Sequence, residues 1–225
     1  MKKLMIFLFL TLILNVYSND DKELKIKREQ KLKNYYYLVK SGTRETRLNV
    51  LNNILKEYDE LKYSEKDDKL LEIIEFLLNE GTVSIDTSSN RVINNFPDVR
   101  RLCVTLLGKL GGESGRYFII NILHYDNDYT VKREVCDIIA NGLIEDNNKN
   151  DLLNTLIKIY NFDSKGQPES FISSYIKALT TTAKGKSFYY SDVIKILADI
   201  NISKIYSEKI RKEALESIDY LGKNN

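Results

Sequence analysis

Five stretches of this chain can be laid over one another in register. Val99-Arg100-Arg101-Leu102-Cys103-Val104, Val131-Lys132-Arg133-Glu134-Val135-Cys136 and Ile210-Arg211-Lys212-Glu213-Ala214-Leu215 each open on a β-branched residue and continue with two cations. Apolar residues follow four, five and eight positions after the first, ending at Leu107, Ile139 and Ile218. Looser copies start at Thr46, with Arg47, Val50, Leu51 and Ile54, and at Phe171, with Tyr175, Ile176 and Leu179. Successive starts lie 53, 32, 40 and 39 residues apart, and the first gap holds a long Ser-, Thr- and Asn-rich link from Glu80 to Pro97. Spacings of four and eight put these side chains on one face of a helix. A period of this size leaves room for two short helices per copy. Such a unit is too small to bury its own apolar face, so neighbours must stack on one another. An irregular helical bundle is the competing arrangement.

The rest of the chain agrees with an all-α fold. Pro occurs only at 97 and 168, and no stretch alternates with period two for long. The pattern predicts helices over about 44–58, 66–79, 98–110, 115–124, 130–143, 151–161, 169–182, 190–200 and 207–221, joined by short links carrying Gly, Asn, Asp or Ser. A charged helix is predicted from Asp20 to about Lys40, with Leu24, Ile26, Leu32 and Leu38 as its sparse apolar face and Ser41-Gly42 as its stop. No sheet is expected, and the long link is read as holding a partial helix near Arg91–Asn95.

The stretch PDVRRLCVTLLGKLGGESGRYFIINILHYDNDYTVKREVCDIIANGL resembles HEAT repeats, in particular the short HEAT-like kind found in phycobilisome lyases. Asp98 before Val99-Arg100, and Asp126 with Asp128 ahead of Val131-Lys132, are similar to that motif's helix-start acid and following basic residue. Leu106-Leu107-Gly108-Lys109-Leu110-Gly111 is similar to its helix end, where small residues let the next helix come close. Cys103 stands where the family commonly has Ala, and Gly142 where an apolar residue is expected. The resemblance implies an armadillo-like α-solenoid of about four to five helix pairs over 43–225, preceded by the charged helix of 19–42. It also implies that the second helix of each pair lines a concave side, and that the protein serves as a scaffold or adaptor.

Lys2 and Lys3 precede an apolar run from Leu4 to Val16, broken only by Thr11 and Asn15, and a strongly polar stretch begins at Asn19. The run is shorter than the ~20 residues a membrane-crossing helix needs. It reads as a secretory signal over residues 1–18, cleaved after Ser18, with a retained anchor as the alternative. The expected location is therefore outside the cytoplasm of a bacterium, periplasmic or secreted. A chain starting at Asn19 carries 32 basic and 32 acidic side chains and no net charge, which disfavours nucleic acid as a partner. Export permits disulfides, but Cys103 and Cys136 both sit in apolar helical patterns and read as buried thiols.

Little in the sequence supports catalysis. His124 is the only imidazole and has no positioned partner in view. The loop Gly111-Gly112-Glu113-Ser114-Gly115 lacks the Lys-Ser or Lys-Thr of a phosphate-binding loop, and Asp126-Asn127-Asp128 lacks the downstream Gly and Glu of a calcium loop. No cofactor or metal is expected, and the chain is read as a non-enzyme that binds a protein or peptide. A lyase-like or other small-molecule function on the same repeats, and a structural role in the cell envelope, are the alternatives. Tyr is abundant, 15 residues against 8 Phe, as suits interface anchors. On the second helices the polar stripes opposite the core are predicted to be Asp68, Glu72, Glu75 and Asn79; then Tyr117, Asn121 and His124; then Asn154, Lys158 and Asn161; then Ser191, Lys195 and Asp199. Tyr117, Asn121, His124, Asn154, Lys158, Asn161 and Lys195 are the candidate partner-binding residues.

Overall fold

The computed structural model describes residues 2–79, 85–86, 91–92, 95–142, 149–163, 167–185 and 188–224, with the backbone alone at 2–20, 85–86, 91–92 and 161–163. It is all-helical apart from one short strand pair, and it divides into two compact units, Met1–Ile74 and Glu75–Asn225. Every helix predicted from residue 44 onward forms, with ends within three residues of expectation. Among the described residues no helix is long and apolar enough to cross a membrane.

The first unit holds α1 (Lys2–Ser41), α2 (Arg44–Glu57) and the beginning of α3 (Asp68–Asn79). The expected apolar face of α1 needs correction. Leu32 and Val39 are its buried contacts, while Ile26 and Leu38 are exposed. Residues 28, 32, 35 and 39 follow the helical period, and Ile26 and Leu38 fall off the mean of that line by about 150° and 90°. Polar groups complete the contact. Arg28 Nε meets the Asp67 carboxylate at 2.9 Å, and its Nη1 donates to the Lys62 carbonyl at 2.8 Å. Lys31 pairs with Glu57 at 2.6 Å, and the Tyr35 hydroxyl donates to the same carboxylate at 3.2 Å. Burial, then the Glu57 charge and hydrogen bond, push the Tyr35 hydroxyl up to about 12. From α2, buried Arg47 donates Nε to the Val39 carbonyl at 3.1 Å.

The second unit contains the end of α3, β1 (Ile85–Asp86), β2 (Arg91–Val92), α4 (Pro97–Leu110), α5 (Gly112–Tyr125), α6 (Tyr129–Ala140), α7 (Lys149–Asp163), α8 (Glu169–Ala183), α9 (Tyr190–Ile202) and α10 (Glu208–Asn224). The strands pair antiparallel, Ile85 with Val92 and Asp86 with Arg91. This overturns the absence of any sheet, and it puts strand at Arg91 and Val92 where the partial helix near Arg91–Asn95 is expected to begin, while positions 93–94 lie outside the described residues. β-Branched Ile85 and Val92 favour extended backbone over a helical turn.

The helices of the second unit form two layers. Helices α4, α6, α8 and α10 pack each on the next, while α5 packs on α7 and α7 on α9. That is the packing order of a helical repeat. The aligned register explains it, because the same positions are buried in copy after copy: Val99, Cys103, Val104 and Leu107; Val131, Val135, Cys136 and Ile139; Phe171, Tyr175, Ile176 and Leu179; Ile210 and Ala214. In this last copy Leu215 breaks the pattern at 48% exposure, and Ile218 is half-buried. Polar contacts repeat too. Glu134 accepts from the Thr105 hydroxyl of α4 at 3.1 Å, and its register equivalent Glu213 accepts from Ser173 of α8 at 2.6 Å.

Two glycines are set by backbone constraints. A Cβ on Gly108 of α4 would lie 2.9 Å from Ile138 Cδ1 and 3.1 Å from two further carbons of that side chain on α6, so the helix-end glycine does let the neighbour approach. Gly142 is the stop of α6, with φ of 69° and its amide bonded to the Ile139 carbonyl at 3.0 Å. The expectation of a helix to 143 is thereby corrected to Ala140. Cys103 and Cys136 are free and fully buried, in helices that pack side by side, and burial pushes both thiols up.

Between α4 and the turn that joins α5 to α6 lies a buried ion pair. Arg100, 2% exposed, donates Nε to Asp126 Oδ2 at 2.7 Å and Nη2 to Oδ1 at 3.1 Å, and its Nη1 donates to Asn95 Oδ1 at 2.8 Å. Asp126 also accepts from the Asp128 amide at 2.9 Å. Asp128 in turn caps α6 by accepting from the Thr130 amide at 2.7 Å. Burial opposes ionisation of Asp128, but the Thr130 and Val131 hydrogen bonds prevail and hold its pKa below the usual range. The Asp-Asn-Asp run is therefore a tie between α4 and α6 plus a helix cap.

Candidate functional site

The outer face of the second layer carries the predicted stripes. On α3, Asp68, Glu72, Glu75 and Asn79 are exposed opposite buried Leu70, Ile73, Ile74 and Leu77, while Leu71, expected in the core, is half-buried. On α5, Tyr117 and His124 are exposed and Asn121 is half-buried. On α7, Lys158 is exposed and Asn154 half-buried, whereas the Asn161 side chain lies outside the described residues. Ser191, Lys195 and Asp199 are exposed on α9. Arg116 ties two of these helices together, reaching Asp151 of α7 at 3.4 Å.

Tyr117 and Asn121 enter a groove of about 490 Å³ that also takes Phe118, Ile122 and Tyr125 from α5, Asp126 after it, and Glu75, Leu78 and Asn79 from the end of α3. Tyr117, Asn121 and Tyr125 are four residues apart in turn, which lines them along one edge of α5. Tyr117 is 63% exposed and Tyr125 72%. Tyr117 meets the Phe118 ring edge-on, with centroids 5.6 Å apart. Tyr125 was absent from the candidate residues although its spacing from Tyr117 and Asn121 was legible. Phe118 carried no such signal, because one position beyond Tyr117 points about 100° away on an isolated helix.

His124 does not line the groove, although its ring centroid lies 6.0 Å from that of Tyr125. Partial desolvation, then the charges of Lys158 and Lys132, lower its pKa, so it is neutral near pH 7. Tyr117 and Asn121 thus share the groove, whereas His124 and Lys158 do not line it. Lys195, on α9, does not line it either. On the first layer a second groove of about 500 Å³ runs between α8 and α10, where Lys177 and Lys184 are interspersed with Glu213 and Glu216.

The charges that act on His124 are those of Lys158 and Lys132, and a cation does not orient an imidazole as a base the way a carboxylate would. Among the described residues no group of three or more His, Cys, Asp or Glu is placed to hold a metal ion. What the second-layer face offers is aromatic, amide and charged groups spread over successive helices. Compared with family models, with curated proteins and with solved structures, the chain matches none.

Proposed function

We propose that this protein is an exported HEAT-type helical-repeat scaffold, non-catalytic, that binds an extended protein or peptide along the α5, α7 and α9 face. One observation carries the reading: a row of accessible aromatic, amide and basic side chains on consecutive second-layer helices, with Tyr117 and Tyr125 exposed beside a groove. Large exposed aromatics are typical anchors at protein interfaces. Support for the repeat type comes from the two-layer packing order and from the tie between α4 and α6 through Arg100 and Asp126. Support for export comes from the Lys2-Lys3 pair and the apolar run that follows.

The test uses the protein recovered from its native exported fraction. Intact mass should show a chain beginning at Asn19; retention of residues 1–18 would remove the export reading in its cleaved form. Capture of partners is then compared for two variants of unchanged helical content. One carries Tyr117→Ala, Asn121→Ala, Asn154→Ala and Lys158→Ala on the second layer; the other carries Arg101→Ala and Arg133→Ala on the first. The second-layer variant should lose about tenfold or more in partner affinity, as loss of interface anchors does. Equal capture by both would leave the second-layer face without a role.

A further inference from the structure

We infer that the groove between the end of α3 and α5 receives a cationic side chain, Lys or Arg, presented by the extended partner. This deepens the proposed function and rests on it. Among the described residues that line the groove none is basic. Its two acids differ in state. Asp126 is buried and already neutralised by the two-pronged contact from Arg100, whereas Glu75 is exposed at the rim. The groove therefore presents one uncompensated carboxylate together with Tyr117, Phe118 and Tyr125. Aromatic faces attract a cation through their quadrupole, and the attraction grows as water is excluded. A carboxylate beside them adds a charge-assisted hydrogen bond.

Other occupants fit less well. An anionic side chain would meet Glu75 with no basic residue among the described lining residues to offset it. An apolar side chain would desolvate Glu75 without giving it a partner. Farther along the same layer the exposed charge on α7 is the cation Lys158. A cation on the partner is thus favoured at the α3 end and opposed beyond α5, which fixes the direction in which an extended segment lies.

The experiment is an NMR titration of the full exported chain with ring-labelled tyrosine, the Tyr117 and Tyr125 signals being assigned through Tyr117→Phe and Tyr125→Phe. Three probes are used: N-acetyl-arginine N-methylamide, its norleucine counterpart and its glutamate counterpart. The arginine probe should shift both signals saturably, and the other two should not. Glu75→Gln should weaken the arginine response by about two- to fivefold, the range for a partly exposed charge pair. Silence toward the arginine probe, an equal response to norleucine, or an unchanged response in Glu75→Gln would overturn the inference. Its failure is separable from failure of the proposed function: a silent groove with partner loss in the four-alanine variant sinks the inference alone. Arginine binding with equal capture by both variants sinks the functional reading alone.

Discussion

Replacing Asp126 with Ala is expected to destabilise the second unit by about 3–5 kcal/mol, the usual cost of stranding one member of a buried ion pair. Arg100 would keep its Asn95 contact but lose both bonds to the carboxylate, leaving a guanidinium that is 2% exposed with most of its charge uncompensated. The Asp128 amide would lose its acceptor as well. Removing both charges is a different experiment. Arg100→Met with Asp126→Leu should recover most of the loss, because the net worth of a buried pair against apolar replacements is small. Urea unfolding followed by circular dichroism reads both. A loss below about 1 kcal/mol in Asp126→Ala would mean that the pair is not buried as described.

A comparable loss, about 3–5 kcal/mol, is expected for Tyr175→Ala. Tyr175 is among the largest fully buried side chains, stacked near Tyr160 at 6.1 Å and Phe171 at 5.8 Å between centroids. Its hydroxyl donates to the Leu156 carbonyl of α7 at 2.8 Å, so one residue of α8 binds both layers. Tyr175→Phe keeps the ring and should cost about 1 kcal/mol for the one hydrogen bond lost. The pair of variants also separates a pH effect. Burial raises the Tyr175 pKa well above its ordinary value, so the unfolded chain ionises first as pH rises. Stability should therefore fall above about pH 10, and Tyr175→Phe should fall less steeply there. Parallel decline of the two proteins would contradict the buried hydroxyl.

The helices were legible because the register that defines them is also the register that packs them. Val99, Val131 and Ile210, aligned from sequence alone, are all buried in the first layer. The face of α1 was not legible, because its contact with the rest of the first unit is largely polar. Arg28, Lys31 and Tyr35 choose the side that turns inward, and charged residues do not announce burial in a hydropathy pattern. Arg100 shows the same limit, since aligning it with Lys132 and Arg211 revealed a recurrent cation but not its partner 26 residues on. At the candidate site, helical spacing located Tyr117 and Asn121 on an outer edge. It could not show that Glu75 and Leu78 of another helix close a groove with them, which depends on how α3 lies against α5.

The most direct test of the account is site-specific photocrosslinking in the native exported fraction. A p-benzoylphenylalanine placed at Tyr117 reports on the second-layer face, and one placed at Arg101 reports on the first. The account predicts a discrete crosslinked partner from position 117, suppressed when Asn154→Ala and Lys158→Ala are added, and none from position 101. A partner crosslinked from position 101 and absent at 117 would contradict it.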